Sequence, residues 1–322
     1  MKQRSLGRSG LLVSAVGLGT NNFAARLTRE QAVAVVHKAL DVGITLFDTA
    51  DSYGEGRSEQ LLAEGLGDRR KDVVIATKWG NFRHPGQAED PDVEHRGGGR
   101  AYIMKAVERS LRNLGTDYID LYQLHRPDPK TPIEETLRAL DDLVRQGKVR
   151  YVGVSNMAGW QIVEAQLVAR QLGLNAFVSV QDSYSLLDRG VEESLFPAMS
   201  AYNLGLLPFA PLAYGLLSGK YRADAPLPEG TRLSTSELMR GRVVNDRNWT
   251  IVEKLRAFAE ARGRTMLELA MSWLAAQPLV GGVIAGATKP EQVAQNAVAV
   301  DWALTPEELA EIDLLSSDEP IP

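Results

Sequence analysis

The chain has 322 residues, 44% of them hydrophobic, and 36 Lys and Arg against 41 Asp and Glu give a net charge of −5. That apolar content supplies a globular core, and mixed charge without a basic block argues against nucleic-acid or anionic-membrane partners. There is no cysteine, which excludes disulfides, thiolate metal sites and thiol catalysis; without an apolar leader or a run near the roughly 18 residues of a membrane span, a soluble cytoplasmic protein is expected.

In chain order, Gly7 and Gly10 flank a turn that predicts a small hairpin. Strand-like runs follow at 13–20, 43–48, 72–78, 118–125, 151–156, 176–181, 205–211 and 281–286. They are short, often β-branched and nearly continuous in apolar character, as strands buried on both faces of a parallel sheet are.

The intervening segments carry helix signals. Thr28 with Gln31, Thr131 with Glu134, Thr265 with Glu268 and Thr305 with Glu308 spell capping boxes. Pro132 and Pro306 suit a first helical position. Regular β-then-α order predicts right-handed crossovers. Eight repeats in this length predict one domain over 1–322, a closed (β/α)₈ TIM barrel with the N-terminal hairpin and a C-terminal helix. An open doubly wound sheet would want G-x-G-x-x-G after a strand; the nearest text, GEGRSE at 54–59, lacks the third glycine.

Barrel active sites lie at the C-terminal ends of the strands. Those ends are Thr20, Asp48, Lys78, His125, Ser155 with Asn156, Gln181 and Phe209, and Tyr53 follows on the loop after Asp48. A phenol ionises near pH 10, and a cation at Lys78 would lower that value toward neutrality. Asp48 would hold the buried lysine charged. His125 would orient a carbonyl oxygen, and Tyr53 would protonate it as hydride reaches carbon. A hydride needs a source, which implies a nicotinamide. Ser155, Asn156 and Gln181 suit its carboxamide, and Phe209 suits its ring. In 212–221, Gly215 and Gly219 could let backbone approach a diphosphate beside Ser218 and Lys220, or the stretch is an ordinary glycine-rich loop. Thr288, Lys289, Gln292 and Asn296 at the helix start after the eighth run suit an adenosine 2′-phosphate and its base.

The stretch GITLFDTADSYGEGRSEQLLAEGL resembles the first signature of the aldo-keto reductase superfamily, which contains its catalytic Asp and Tyr. VIATKWG is similar to the strand carrying its Lys, and LGTDYIDLYQLHRPD to the segment ending in its His. VRYVGVSN, VSVQDSYSLL and VIAGATKPEQVAQN resemble its cofactor-binding segments, so the likeness covers nearly the whole chain. It implies a (β/α)₈ barrel that reduces small-molecule aldehydes or ketones with NADPH, and a catalytic tetrad of Asp48, Tyr53, Lys78 and His125. It further implies cofactor contacts from Gly19, Thr20, Asn21 and Asp48, from Pro211, Leu212 and Leu217, and from Gly286 and Gln295. Ala285 stands where the family commonly has proline, and Gln295 where an acid is common, which bears on NADP against NAD preference.

Trp79, directly after Lys78, is placed either to line the substrate pocket or to pack beneath the rim. Trp160, Trp249, Trp273 and Trp302 read as core or interhelical packing, and His37 as structural. His84 and His95 fit no metal spacing, so no metal is expected. Segment 211–248 reads as a lid or cofactor clasp. Two other functions stay open. Potassium-channel β subunits in the same superfamily act chiefly as channel partners, and Lys78 could instead form a Schiff base in an aldolase or isomerase. The residues name neither a particular substrate nor an oligomeric state.

Overall fold

The computed structural model describes residues 1–81 and 97–317. A two-stranded antiparallel hairpin, β1 (Gln3–Ser5) with β2 (Leu12–Ser14), precedes the main sheet. That sheet holds β3 (Val16–Gly19), β4 (Leu46–Asp48), β5 (Val74–Trp79), β6 (Ile119–Leu124), β7 (Val149–Ser155), β8 (Ser179–Ser183), β9 (Gly205–Phe209) and β10 (Val283–Gly286). Neighbours pair in parallel from β3 through β9, and β10 pairs with β3. The ring closes just before β10: Leu206 N donates to Leu279 O at 2.6 Å, and Gly281 N to Leu206 O at 2.9 Å. The fold is therefore a (β/α)₈ barrel with an N-terminal hairpin.

The run 13–20 is two strands rather than one. The chain changes partner at Ala15, whose N–H goes to Lys2 O at 3.0 Å. Ser14 fixes the break: its hydroxyl donates to Val16 O at 2.6 Å and accepts from Thr45 N and Leu46 N. The hairpin plugs the barrel base. Leu6, Leu11 and Val13 pack with the inward residues Leu46, Ala76, Leu121, Leu207 and Ile284. Gly17 is needed in that layer, because a Cβ there would lie 2.7 Å from Ile284 Cδ1.

Strand periodicity of two then sets the rim. Asp48 lies two residues above Leu46, and Lys78 two above Ala76, so both face the interior. Their outward neighbours Phe47 and Trp79 join the second core beneath the helices.

The helices follow the caps read in the sequence. In α2 (Arg29–Asp41), α12 (Met266–Ala276) and α14 (Pro306–Ser316), the Thr28, Thr265 and Thr305 capping boxes are formed. Pro132 is a correction: α5 (Ile133–Arg145) starts after it, and the Thr131 hydroxyl bonds Asp128 Oδ2 at 2.7 Å instead of capping. Trp160 is another, 68% exposed on α6 (Gly159–Leu172). Trp273 is fully buried, Trp249 and Trp302 pack against the core, and His37 sits exposed on α2. His84 and His95 lie outside the described residues. Among the described residues, no helix is long and apolar enough to cross a membrane, and no group of three or more acids and histidines is placed to hold a metal.

Candidate active site

Lys78 is fully buried, and its ammonium meets three acceptors: Asp48 Oδ1, Asp48 Oδ2 and Thr49 O, each at 2.8 Å. Burial pushes its pKa down, but Asp48 and then Tyr53 outweigh that, and the net direction is upward. The lysine is a cation at neutral pH. Gln181 Nε2 donates to the same Asp48 Oδ1 at 2.7 Å, tying β8 to β4 across the rim.

Tyr53 is placed by an unusual turn. Its N–H bonds Ala50 O at 3.1 Å, and the next residues, Gly54, Glu55 and Gly56, all have positive φ. At Gly54 a Cβ would fall 2.2 Å from Ala24 Cβ on the short α1 (Phe23–Arg26), so only glycine lets this loop lie down on the rim. The phenol ring then stands 5.1 Å from Lys78 Nζ and 5.9 Å, edge-on, from the His125 ring. His125 is anchored through its backbone, donating to Trp79 O at 2.8 Å and accepting from Asn156 Nδ2 at 3.1 Å.

The Tyr53 pKa corrects the sign read from the sequence. Burial raises it and exceeds the downward pull of Lys78, while Asp48 adds a smaller upward push. The hydroxyl keeps its proton at neutral pH, with the cation beside it to stabilise a phenolate once that proton leaves.

These side chains open on one cavity of about 710 Å³, a size typical of small-molecule sites. It runs from Tyr53 and His125, past Ser155, Asn156 and Gln181, to the start of α13 (Pro290–Val298). Gly19, Asn21 and Asp48 line one wall, and Phe209, Pro211, Leu212, Gly215, Ser218 and Lys220 another. Gly286, Thr288, Lys289, Gln292, Gln295 and Asn296 line the far end. There Gln292 Oε1 accepts from Thr288 N at 2.8 Å, tying the turn to its helix. Non-glycine residues at positive φ collect in this wall, at Asn156, Ala210 and Tyr214, the backbone strain that marks functional sites.

Three expected contacts lie behind the wall. Thr20 is fully buried and bonds Asp48 O and Ser58 Oγ. Leu217 is core. Trp79 packs beneath the rim, stacked on Tyr122 at 4.3 Å with its indole N–H on Gly97 O at 3.1 Å.

The sequence reading missed other wall residues. Arg232, on the segment between β9 and α11 (Asp246–Glu260), reaches back to donate to Asn22 Oδ1 at 2.7 Å, and both line the cavity with Arg26 and Arg126. Arg126 was findable as the neighbour of His125. Asn22 was findable in the same way as the neighbour of Asn21, and nothing local pointed to Arg26.

A closed parallel barrel with an Asp, Tyr, Lys and His gathered at its C-terminal rim defines a class of oxidoreductase architecture. The chain belongs to the aldo/keto reductase family, whose sequence model matches residues 15–317. It is 33% identical to the versiconal hemiacetal acetate reductase of Aspergillus parasiticus, over 96% of this chain and 95% of that one. It is 34% identical to the L-glyceraldehyde 3-phosphate reductase of Escherichia coli O157:H7, over 97% and 92%. A probable voltage-gated potassium channel subunit beta of Oryza sativa subsp. japonica is 36% identical, over 99% and 98%.

Proposed function

We propose that the protein, as one domain over 1–322, reduces an aldehyde or ketone to the alcohol with NADPH. The observation that carries this reading is the Lys78 ammonium, clamped by Asp48 beside the Tyr53 ring, with His125 against that ring's edge. When bound, a reduced nicotinamide supplies hydride to the carbonyl carbon. Tyr53 gives its proton to the carbonyl oxygen. Lys78 stabilises the phenolate that remains, and His125 orients the oxygen, so Tyr53 and His125 are the substrate contacts. Ser155, Asn156 and Gln181 offer amide and hydroxyl groups suited to the carboxamide, with one N–H of the Gln181 amide already on Asp48. Phe209 offers a face for the ring. Lys220, Arg232 and Lys289 offer cations suited to the diphosphate and 2′-phosphate of NADPH.

The test is NADPH oxidation with a panel of aldehydes, ketones and keto-sugars, run beside Tyr53→Phe. Folded mutant activity should fall about 10²-fold or more, the scale of a lost general acid. Mutant turnover equal to wild type would remove Tyr53 from that role. The potassium-channel relative supports a second reading, a cofactor-binding partner protein. NADPH binding with no turnover on any carbonyl would favour it.

A further inference from the structure

Two residues before Tyr53, Asp51 turns its side chain away from the cavity. It is 3% exposed, and Arg109 donates to its Oδ2 at 2.8 Å. Arg109 lies on α4 (Arg100–Leu114), outside the barrel. The backbone beside Asp51 continues β4 over β5: Thr49 N donates to Ala76 O at 2.9 Å, and Asp51 N to Lys78 O at 3.0 Å. The residue whose amide rests on Lys78 is thus the one whose carboxylate is pinned to α4.

We infer that the Asp51–Arg109 pair is a positioning clamp that holds the Tyr53 loop in register with Lys78, and that it sets turnover rather than binding. The inference rests on the reductase reading for its kinetic consequence. Neither residue lines the cavity, so neither touches substrate or cofactor. After Asp51 the loop passes through three successive positive-φ residues, a conformation that supplies no ladder bonds of its own. Before them the backbone holds Asp51 N on Lys78 O and Tyr53 N on Ala50 O, and a buried carboxylate gripping a helix adds a side-chain anchor between the two. Misplacing a reacting group by about 1 Å costs up to about 10²-fold in rate.

The two ends of the clamp carry opposite charge, which separates position from electrostatics. Asp51→Asn removes a negative charge and Arg109→Met a positive one. A through-space effect on Tyr53 would move the alkaline limb of the pH–rate profile in opposite directions. Loss of position lowers kcat in both. The expected result is a kcat loss of about 10-fold in each, with KM for the carbonyl and NADPH affinity within about twofold of wild type. The double variant should be no worse than either single, as partners in one interaction behave. Arg109→Lys, keeping charge without the planar fork, should fall between. Arg109→Met strands a buried carboxylate and can cost folding; Asp51→Asn and the double variant leave no such charge and carry the test if it does. A readout independent of turnover is ¹⁹F NMR of protein labelled with 3-fluorotyrosine, the Tyr53 line assigned with Tyr53→Phe. It should be single in wild type and broadened or split in Asp51→Asn. Wild-type inactivity on every carbonyl would sink the reductase reading and leave the NMR result to decide the clamp. An unchanged Tyr53 line, additive kcat losses, or opposite pH shifts would overturn it.

Discussion

At the residue scale, the chemistry turns on how burial and charge divide the work between Lys78 and Tyr53. Asp48 keeps the lysine ionised, and burial keeps the phenol protonated. Lys78→Met removes the cation whose charge and hydrogen bond both pull the Tyr53 pKa down. The reduction rate should therefore fall, and its alkaline limb, where Tyr53 loses its proton, should move to higher pH. A pH–rate profile with an unmoved limb would contradict the coupling. Asp182 offers a second case. Burial, with Asp188 adding to it, raises its carboxyl from 3.8 to about 6 against the pull of Ser183 N–H and Arg126. The folded state then binds the proton more tightly than the unfolded chain between those values, so stability falls as pH rises through that window. Asp182→Asn keeps an oxygen for Ser183 N–H and removes the cost. It should be more stable than wild type by about 1 kcal/mol at pH 7.5, a value discounted for partial exposure, with no gain at pH 4. Melting curves at both pH values check this; an equal gain at both would point to another cause. Asp48, Lys78 and His125 were legible because strand ends are readable from apolar runs. The direction of the Tyr53 shift was not, since burial of a loop residue depends on what folds over it.

At the element scale, the helix starts were the most legible features, because a capping box is a local exchange of hydrogen bonds spelled within four residues. Thr131 shows the limit: a nearby Asp128 competed for its hydroxyl and won. The exposure of Trp160 shows another, since a helix stripe does not say which turn meets a neighbour. The start of α13 carries a functional consequence. Pro290 sits in its first turn, leaving backbone N–H groups and the positive dipole end beside Thr288 and the exposed Lys289. This arrangement should favour NADPH over NADH, and Lys289→Ala should erode that preference by weakening NADPH alone. Titration of both cofactors by tryptophan fluorescence checks it. Equal affinities in wild type, or a variant that loses neither, would contradict the assignment.

At the scale of the whole molecule, closure of the sheet brings residues from opposite ends of the chain to one cavity. The order of strands and helices was legible. What was not legible is contact that the closed ring alone creates, such as Arg232 on Asn22, 210 positions apart. The hairpin plug and the two-strand nature of 13–20 belong to the same class, because Ser14 finds its partners on β4 and at the start of β3. On the reductase reading, this cavity moves a hydride to a carbonyl carbon under a proton from Tyr53. The most direct measurement is reduction of the carbonyl panel with NADPH deuterated at C4 of the nicotinamide, on the stereochemical face that is transferred, followed by mass spectrometry of the alcohols. One deuterium should appear on the carbinol carbon with wild type and be nearly absent with Tyr53→Phe. Cofactor binding with no deuterium in any product, or borohydride trapping of a carbonyl on Lys78, would contradict it.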